Sequence, residues 1–325
     1  MAKDNTNRKT IGVDMGGTNT VYAIVDAKGK ILGQRSFKTA SYPSAEDFAK
    51  ALSAKIRALI DDTGEADDII GIGVGAPAAN FSTGYIEKAT NLPWPFPVPL
   101  AQLIERHSGY PTRVANDANT AALGEMAYGA ARGVRDFIEL TLGTGVGSGI
   151  VCNGRLLNGA RGFAGELGHM PFHFAADRDC SCGRKGCLET VAAAGGIVHT
   201  AKLMLNKHPH IPSELRDMTD FSCRDIAIAA GRGDEIAQRT FRFTGECLGE
   251  AAASFASFSD PEAIIIFGGV ANAGELLLKP MRESFERHAL FLYRGRVTIT
   301  QSILNESVAS ILGAASLPLC IASEV

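Results

Sequence analysis

A chain of 325 residues, 46% hydrophobic and 21% charged, carries enough apolar material for two domains with buried cores. Lysine and arginine number 32 against 35 aspartates and glutamates, and the net charge of −3 argues against nucleic acid as the partner. The longest apolar run, around residues 263–267, is far short of the ~20 residues that span a bilayer, and the polar start lacks the hydrophobic segment of a secretory leader, so a cytoplasmic protein is expected, with no membrane partner.

The first strand is predicted over Thr10–Asp14, ending in the turn Met15-Gly16-Gly17-Thr18. A second, Val21–Val25, turns at Ala27-Lys28-Gly29 into a third, Ile31–Phe37, which completes a meander. Ser44 with Asp47 three residues on resembles a capping box. Phe48, Leu52, Ile56, Leu59 and Ile60 share one face of the helix that follows, and Gly64 stops it. Asp68–Gly75 is then a strand entering Ala76-Pro77. Its Gly71-x-Gly73-x-x-Ala76 matches a dinucleotide fingerprint, but Pro77, Asn80, Ser82 and Gly84 stand where the phosphate-binding helix should continue. A dehydrogenase is set aside on that ground. No Walker A pattern occurs either.

Asn116-Asp117-x-Asn119 precedes the apolar-periodic stretch Ala121–Tyr128 and so marks a helix N-terminus. On the residues alone, capping is the favoured use of such a group. The alternative is chemical: a carboxylate there can take a proton from a substrate hydroxyl while the asparagine aligns its neighbours.

The opening plan recurs 127 residues on. Phe137–Leu142 ends in Gly143-Thr144-Gly145, followed by Gly147–Cys152, a turn at Asn153-Gly154, and Arg155–Leu157. Laying residues 11–18 over 138–145 puts strand on strand and glycine turn on glycine turn, either a coincidence of two common hairpins or an internal duplication with two similar halves across a cleft, the second being favoured. Both turns offer N–H donors to phosphate oxygens, and Asp14 can hold Mg²⁺ through water.

Three of the seven cysteines crowd together, and with His169 they follow the spacing His169-x10-Cys180-x-Cys182-x4-Cys187. Three thiolates and an imidazole satisfy a tetrahedral Zn²⁺, and a closed shell of four protein ligands makes the metal structural. A redox cysteine pair with an unrelated histidine is the alternative. Cys152, Cys223, Cys247 and Cys320 are expected as core thiols. Glu166 and Glu189 flank the loop, either as exposed acids, Glu189 favouring the start of the next helix, or as carboxylates held for the hydroxyls of a polyol. Beyond it come a long helix from Asp234 to about Phe258, a buried strand Glu262–Phe267 opening into Gly268-Gly269, and a final helix over about Ser307–Ala315 or further. Strands alternating with helices indicate α/β layers.

Together Asp14-x-Gly-Gly-Thr18, Asn116-Asp117, Gly159-x-x-Gly162-x-x-Gly165-Glu166-x-Gly168-His169 and Cys180-x-Cys182-Gly183-x-x-Gly186-Cys187-x-Glu189 resemble the ROK family of sugar kinases, within the actin-like, hexokinase-type ATPase superfamily. The resemblance runs from Asp14 to the final helix. It implies an α/β protein of the actin-like (ribonuclease H-like) fold, a duplicated two-lobe ATPase. Residues 1–115 and about 308–325 would form a smaller N-terminal lobe, and 116–307 a larger lobe with the zinc loop.

By that resemblance Asp117 is the catalytic base rather than a cap. Asn91, Asn116, Glu166, His169 and Glu189 would contact sugar hydroxyls, His169 using its other ring nitrogen for zinc. Asp14, Gly16, Gly17 and Thr18 would meet the phosphates of Mg²⁺-bound ATP from one lobe, and Gly143, Thr144 and Gly145 from the other. Gly268 and Gly269 would lie against the adenosine. The implied reaction is phosphorylation of a hexose at its 6-hydroxyl. Cys187-Leu-Glu-Thr-Val191 and Asn91-Leu-Pro-Trp94 look most like the glucokinases of the family, whose N-acetylmannosamine, N-acetylglucosamine and fructose kinases share the same skeleton. Relatives are commonly dimers, so a homodimer is implied. The family's sugar-sensing repressors carry a DNA-binding module ahead of this domain, for which the nine residues before the first strand leave no room. A sugar-binding protein without catalysis would not need Asp14, Asp117 and both phosphate turns.

Overall fold

In the structure, a computed structural model that describes residues 8–89 and 92–321, the meander forms where it is expected. Contacts divide the chain into two units, one comprising the residues up to Gly133, Arg155–Ala164 and the stretch from Ile303, the other Val134–Gly154 and Gly165–Ser302. In the first unit β1 (Lys9–Met15) pairs antiparallel with β2 (Asn19–Asp26), which pairs antiparallel with β3 (Ile31–Lys38). α1 (Ala45–Thr63) follows. Ser44 accepts the Asp47 N–H at 3.0 Å, and Gly64 ends the helix in the left-handed conformation at φ 70°. Its buried face, Phe48, Leu52, Ile56, Leu59 and Ile60, joins Ile11, Val13 and Val74 in one core.

β4 (Ile69–Gly75) lies parallel to β1. A small hairpin, β5 (Ala79–Asn80) and β6 (Tyr85–Ile86), and α2 (Leu100–Ser108) lead to β7 (Thr112–Ala115), parallel to β4. The sheet order is β3-β2-β1-β4-β7, and α3 (Asp117–Tyr128) leaves the end of β7.

The second unit repeats that order. β8 (Phe137–Leu142) pairs antiparallel with β9 (Val146–Cys152) and parallel with β11 (Ala263–Phe267), which pairs parallel with β12 (Thr298–Gln301). The run β9-β8-β11-β12 thus matches β2-β1-β4-β7 strand for strand, as a duplicated fold requires. Between them in the chain, β10 (Arg155–Leu156) belongs to the first unit, where Leu156 packs with Leu123 and Leu317. The helices of the second unit are α4 (Glu189–Ala192), α5 (Ala194–Lys207), α6 (Cys223–Gly231), α7 (Glu235–Ser259) and α8 (Glu275–His288). Asp234 caps α7 by accepting the Ala237 N–H at 3.0 Å.

α9 (Glu306–Ile321) returns to the first unit and continues past Ala315. It lies directly on β1 and β4: a Cβ on Gly12 would stand 2.3 Å from the Ile311 carbonyl oxygen, and one on Gly73 would stand 1.9 Å from that of Ala314. The glycines that mimic a dinucleotide fingerprint are therefore packing devices. α9 also crosses α3 at Gly313 and Gly124, two helices that the expected lobes would separate. Among the described residues no helix is long and apolar enough to cross a membrane.

Candidate active site

In the first unit Asp14 stands near the end of β1, just before the turn that closes the β1–β2 hairpin. The Gly16 N–H donates to the Asn19 carbonyl at 2.9 Å, and Thr18, at the tip, is exposed. β7 delivers the chain into α3, whose N-cap is Asn116: its side-chain oxygen accepts the Asn119 N–H at 2.8 Å. The Thr120 hydroxyl bonds the carbonyls of Asn116 and Asp117 at 3.0 and 2.7 Å. Asp117 is the first residue inside the helix, and among the described residues no group hydrogen-bonds its carboxylate.

Burial, and then the negative charge of Asp14, push the Asp117 carboxyl above its ordinary value of 3.8. The result is a carboxylate with raised proton affinity and an unspent hydrogen-bonding edge, which is what a general base needs. Asn91 lies outside the described residues.

In the second unit the Gly143 N–H donates to the Gly145 carbonyl at 3.0 Å, folding Gly143-Thr144-Gly145 into a tight turn with Thr144 exposed. The Gly143 carbonyl accepts the Ala194 N–H at 2.9 Å. Gly268 has φ +93°, and a Cβ there would meet the Leu142 carbonyl oxygen at 2.5 Å, so glycine alone lets the chain after β11 close on the end of β8. Gly143 and Gly269 border a cavity of about 730 Å³, together with Ala194, Cys223, Arg224 and Phe241.

Sequence reasoning missed the first turn of α6 as a wall of this cavity. The capping box of Ser222 and Asp225 announces the helix, but nothing in the sequence says which way it faces. Cys223 is accordingly not a core thiol: it is half-buried at the cavity wall, and burial pushes its thiol up to about 11. Cys152 is half-buried as well, Cys247 is buried as expected, and the side chain of Cys320 lies outside the described residues.

His169, Cys180, Cys182 and Cys187 converge, with one donor atom from each lying within 4.8 Å of all the others. His169 Nδ1 is 3.7 Å from Cys180 Sγ, and the Cys182 and Cys187 sulfurs are 3.7 Å apart. Zn–S bonds of about 2.3 Å at tetrahedral angles put two sulfurs about 3.8 Å apart, so the donors fit one small tetrahedral ion. Gly183 and Gly186, at φ +85° and +82°, make the turns between ligands. Burial and the neighbouring thiols drive the Cys187 thiol up to about 12, whereas hydrogen bonds from Arg184 bring exposed Cys182 down to about 6. Together the imidazole and three sulfurs form a group that could hold a metal ion.

Both carboxylates border the loop. Glu166 is exposed at the start of the turn that carries His169. Glu189 is half-buried at the first position of α4, and its Oε2 accepts the Val146 N–H at 3.0 Å.

The chain is similar to other proteins over most of its length. Residues 10–319 match the family model described as the ROK family. A glucokinase of Halalkalibacterium halodurans is 38% identical over 295 residues, covering 88% of this chain and 87% of its own. A glucokinase of Thermotoga maritima is 33% identical over 312 residues, covering 95% and 96%. Among solved structures, a ROK family glucokinase of Streptomyces griseus in complex with glucose and AMPPNP superposes with a TM-score of 0.72 at 35% identity, over 95% of this chain and 98% of that one.

Proposed function

The chain belongs to the ROK family, and from that premise we propose that it is an ATP-dependent kinase that phosphorylates the 6-hydroxyl of glucose. The observation that carries this is Asp117: a carboxylate at the helix start with raised proton affinity, left free because its neighbour Asn116 makes the helix cap. In the proposed reaction Asp117 accepts the O–H of the sugar's terminal CH₂OH and takes the proton as the oxygen attacks the γ-phosphate of ATP. Gly16 and Gly143 spend their N–H groups inside the two turns, on the Asn19 and Gly145 carbonyls, and the N–H groups of Gly17 and Thr18, and of Thr144 and Gly145, would donate to phosphate oxygens whose charge shifts toward the departing ADP. Mg²⁺ supplies charge neutralisation at those oxygens when bound, and Asp14, with no hydrogen bond to its carboxylate among the described residues, would hold it through water. The adenosine would occupy the cavity beside Gly269.

His169 Nδ1 and the three thiolates would hold Zn²⁺ as a structural ion. That leaves His169 Nε2 to a sugar hydroxyl, with Glu166, Glu189, Asn116 and Asn91 as the other sugar contacts. Glucose is favoured by the glucokinases among the relatives. The homodimer implied by the family resemblance is part of the proposal and would show as a doubled mass in sedimentation.

The test is ADP release with Mg²⁺ and ATP across glucose, mannose, fructose, N-acetylglucosamine and N-acetylmannosamine. Glucose should give the highest kcat/KM. A preference for an acetylated hexosamine or fructose would move the substrate within the family, and no sugar-dependent ADP release would end the kinase proposal.

A further inference from the structure

The side chain of Glu189 turns toward the glycine loop of β8 and β9. Its Oε2 accepts the Val146 N–H at 3.0 Å, directly after the turn Gly143-Thr144-Gly145. A Cβ on Gly145 would stand 2.6 Å from that same oxygen, so the carboxylate occupies the space an ordinary side chain would need. Its other oxygen, Oε1, receives the Ser181 hydroxyl at 3.4 Å and lies 3.7 Å from Cys180 Sγ, in the cysteine loop. The turn itself is braced by the Gly143 N–H on the Gly145 carbonyl, and by the Ala194 N–H on the Gly143 carbonyl, at 3.0 and 2.9 Å. Glu189 is thus a third brace, and it joins the metal-binding loop to the turn through one carboxylate.

We propose that Glu189 is a positioning residue for the nucleotide as well as a sugar contact. By receiving the Val146 N–H and packing on Gly145, it holds the turn in the shape that presents its N–H groups to phosphate. A charged acceptor suits the task, because a hydrogen bond to an ionised group is roughly twice as strong as a neutral one. Gly145 is then glycine for a second reason besides donor access: it leaves room for the brace. This inference rests on the kinase proposal above.

The experiment titrates the full, zinc-loaded chain with Mg²⁺–AMPPNP in the absence of sugar, by calorimetry, with zinc content measured alongside. If the wild-type chain binds no AMPPNP, the kinase proposal itself fails. If it binds, Glu189→Ala should weaken AMPPNP about tenfold, the scale of a lost charged hydrogen bond and a loosened turn. Glu189→Gln keeps a carbonyl oxygen for the Val146 N–H, so it should stay within about threefold of wild type, a loss below one neutral hydrogen bond, while its glucose KM rises. Glu189→Ala with unchanged AMPPNP affinity and weakened glucose binding would overturn the inference. Should that variant fail to fold, Gly145→Ala asks the same question. Its methyl fits only by displacing Oε2, so reduced AMPPNP affinity is expected and undiminished affinity would overturn the proposal.

Discussion

Asn116 caps the helix that Asp117 begins, taking the Asn119 N–H at 2.8 Å and leaving the carboxylate one residue later outside the cap. Two tasks that an acid at a helix N-terminus usually combines are divided between neighbours. Asp117→Asn, similar in shape and unable to take the proton, should therefore lower kcat by about 10²–10⁴. The same substitution should raise the melting temperature at neutral pH. A carboxyl whose folded pKa lies above its unfolded value favours folding fully only below the unfolded pKa, and loses that contribution as pH rises through the folded one. At neutral pH the ionised side chain is a cost that asparagine removes, and the gain should vanish in acid. A variant with normal turnover, or one less stable at pH 7, would contradict this division.

After burial, the charge of Asp14 is what raises the Asp117 pKa, and this leads to a pH prediction. The acid limb of kcat/KM should lie above the ordinary carboxyl value of 3.8. Asp14→Asn removes the like charge, so Asp117 should ionise more readily and the limb should move to lower pH, even though overall turnover falls with the loss of a phosphate-side acid. A pH–rate series on both proteins decides it, and a limb that stays put or climbs speaks against the coupling.

Much of this was legible from local patterns. Glycine turns after short apolar strands located β1–β2 and β8–β9, because such turns are specified by a few residues in succession. Ser44, Gly64 and Asp234 located helix ends for the same reason. What local patterns could not supply was direction. The sequence shows that Gly12 and Gly73 lack side chains, yet only the passage of α9 across β1 and β4 explains why. No local pattern singled out the first turn of α6 as a cavity wall, and Glu189 stood near a metal loop with no sign that it reached toward Val146. Each of these depends on contacts between residues far apart in the chain.

Removal of the metal should be felt in folding before it is felt in chemistry. The His169 and cysteine donors sit within 4.8 Å of one another, and Cys187 is buried, so the stripped loop would hold crowded thiols with no cation to organise them. The purified chain should carry about one zinc, and Cys187→Ser or exhaustive chelation should lower the melting temperature by about 2–4 °C for each kcal/mol of site energy lost. Glucose KM should rise in parallel, since His169 and Glu189 lose their common support. A zinc-free protein that melts and binds glucose like the loaded one would rule out a structural ion.

Asn80 makes the sharpest packing prediction. The residue is only 2% exposed, and both polar groups of its side chain are engaged. The amide N–H₂ donates to Glu87 Oε1 at 3.1 Å and to the Arg161 carbonyl at 2.8 Å, while the side-chain oxygen accepts the N–H groups of Ser82 and Thr83 at 3.0 and 3.3 Å. Gly162, at φ +80°, passes so close that a Cβ would stand 2.2 Å from that oxygen. The residue thus ties the start of the glycine-rich segment to the β5–β6 hairpin within one unit. Asn80→Asp keeps the acceptor but turns both donors into a second carboxylate oxygen, facing a carbonyl and the Glu87 carboxylate. The loss should be about 2–4 kcal/mol, a broken pair of buried bonds plus like-charge repulsion. Adding Glu87→Gln restores one donor to the pair and removes one charge, so the double variant should recover part of the stability measured by urea unfolding. A double variant no more stable than Asn80→Asp alone would mean that Glu87 is not the partner.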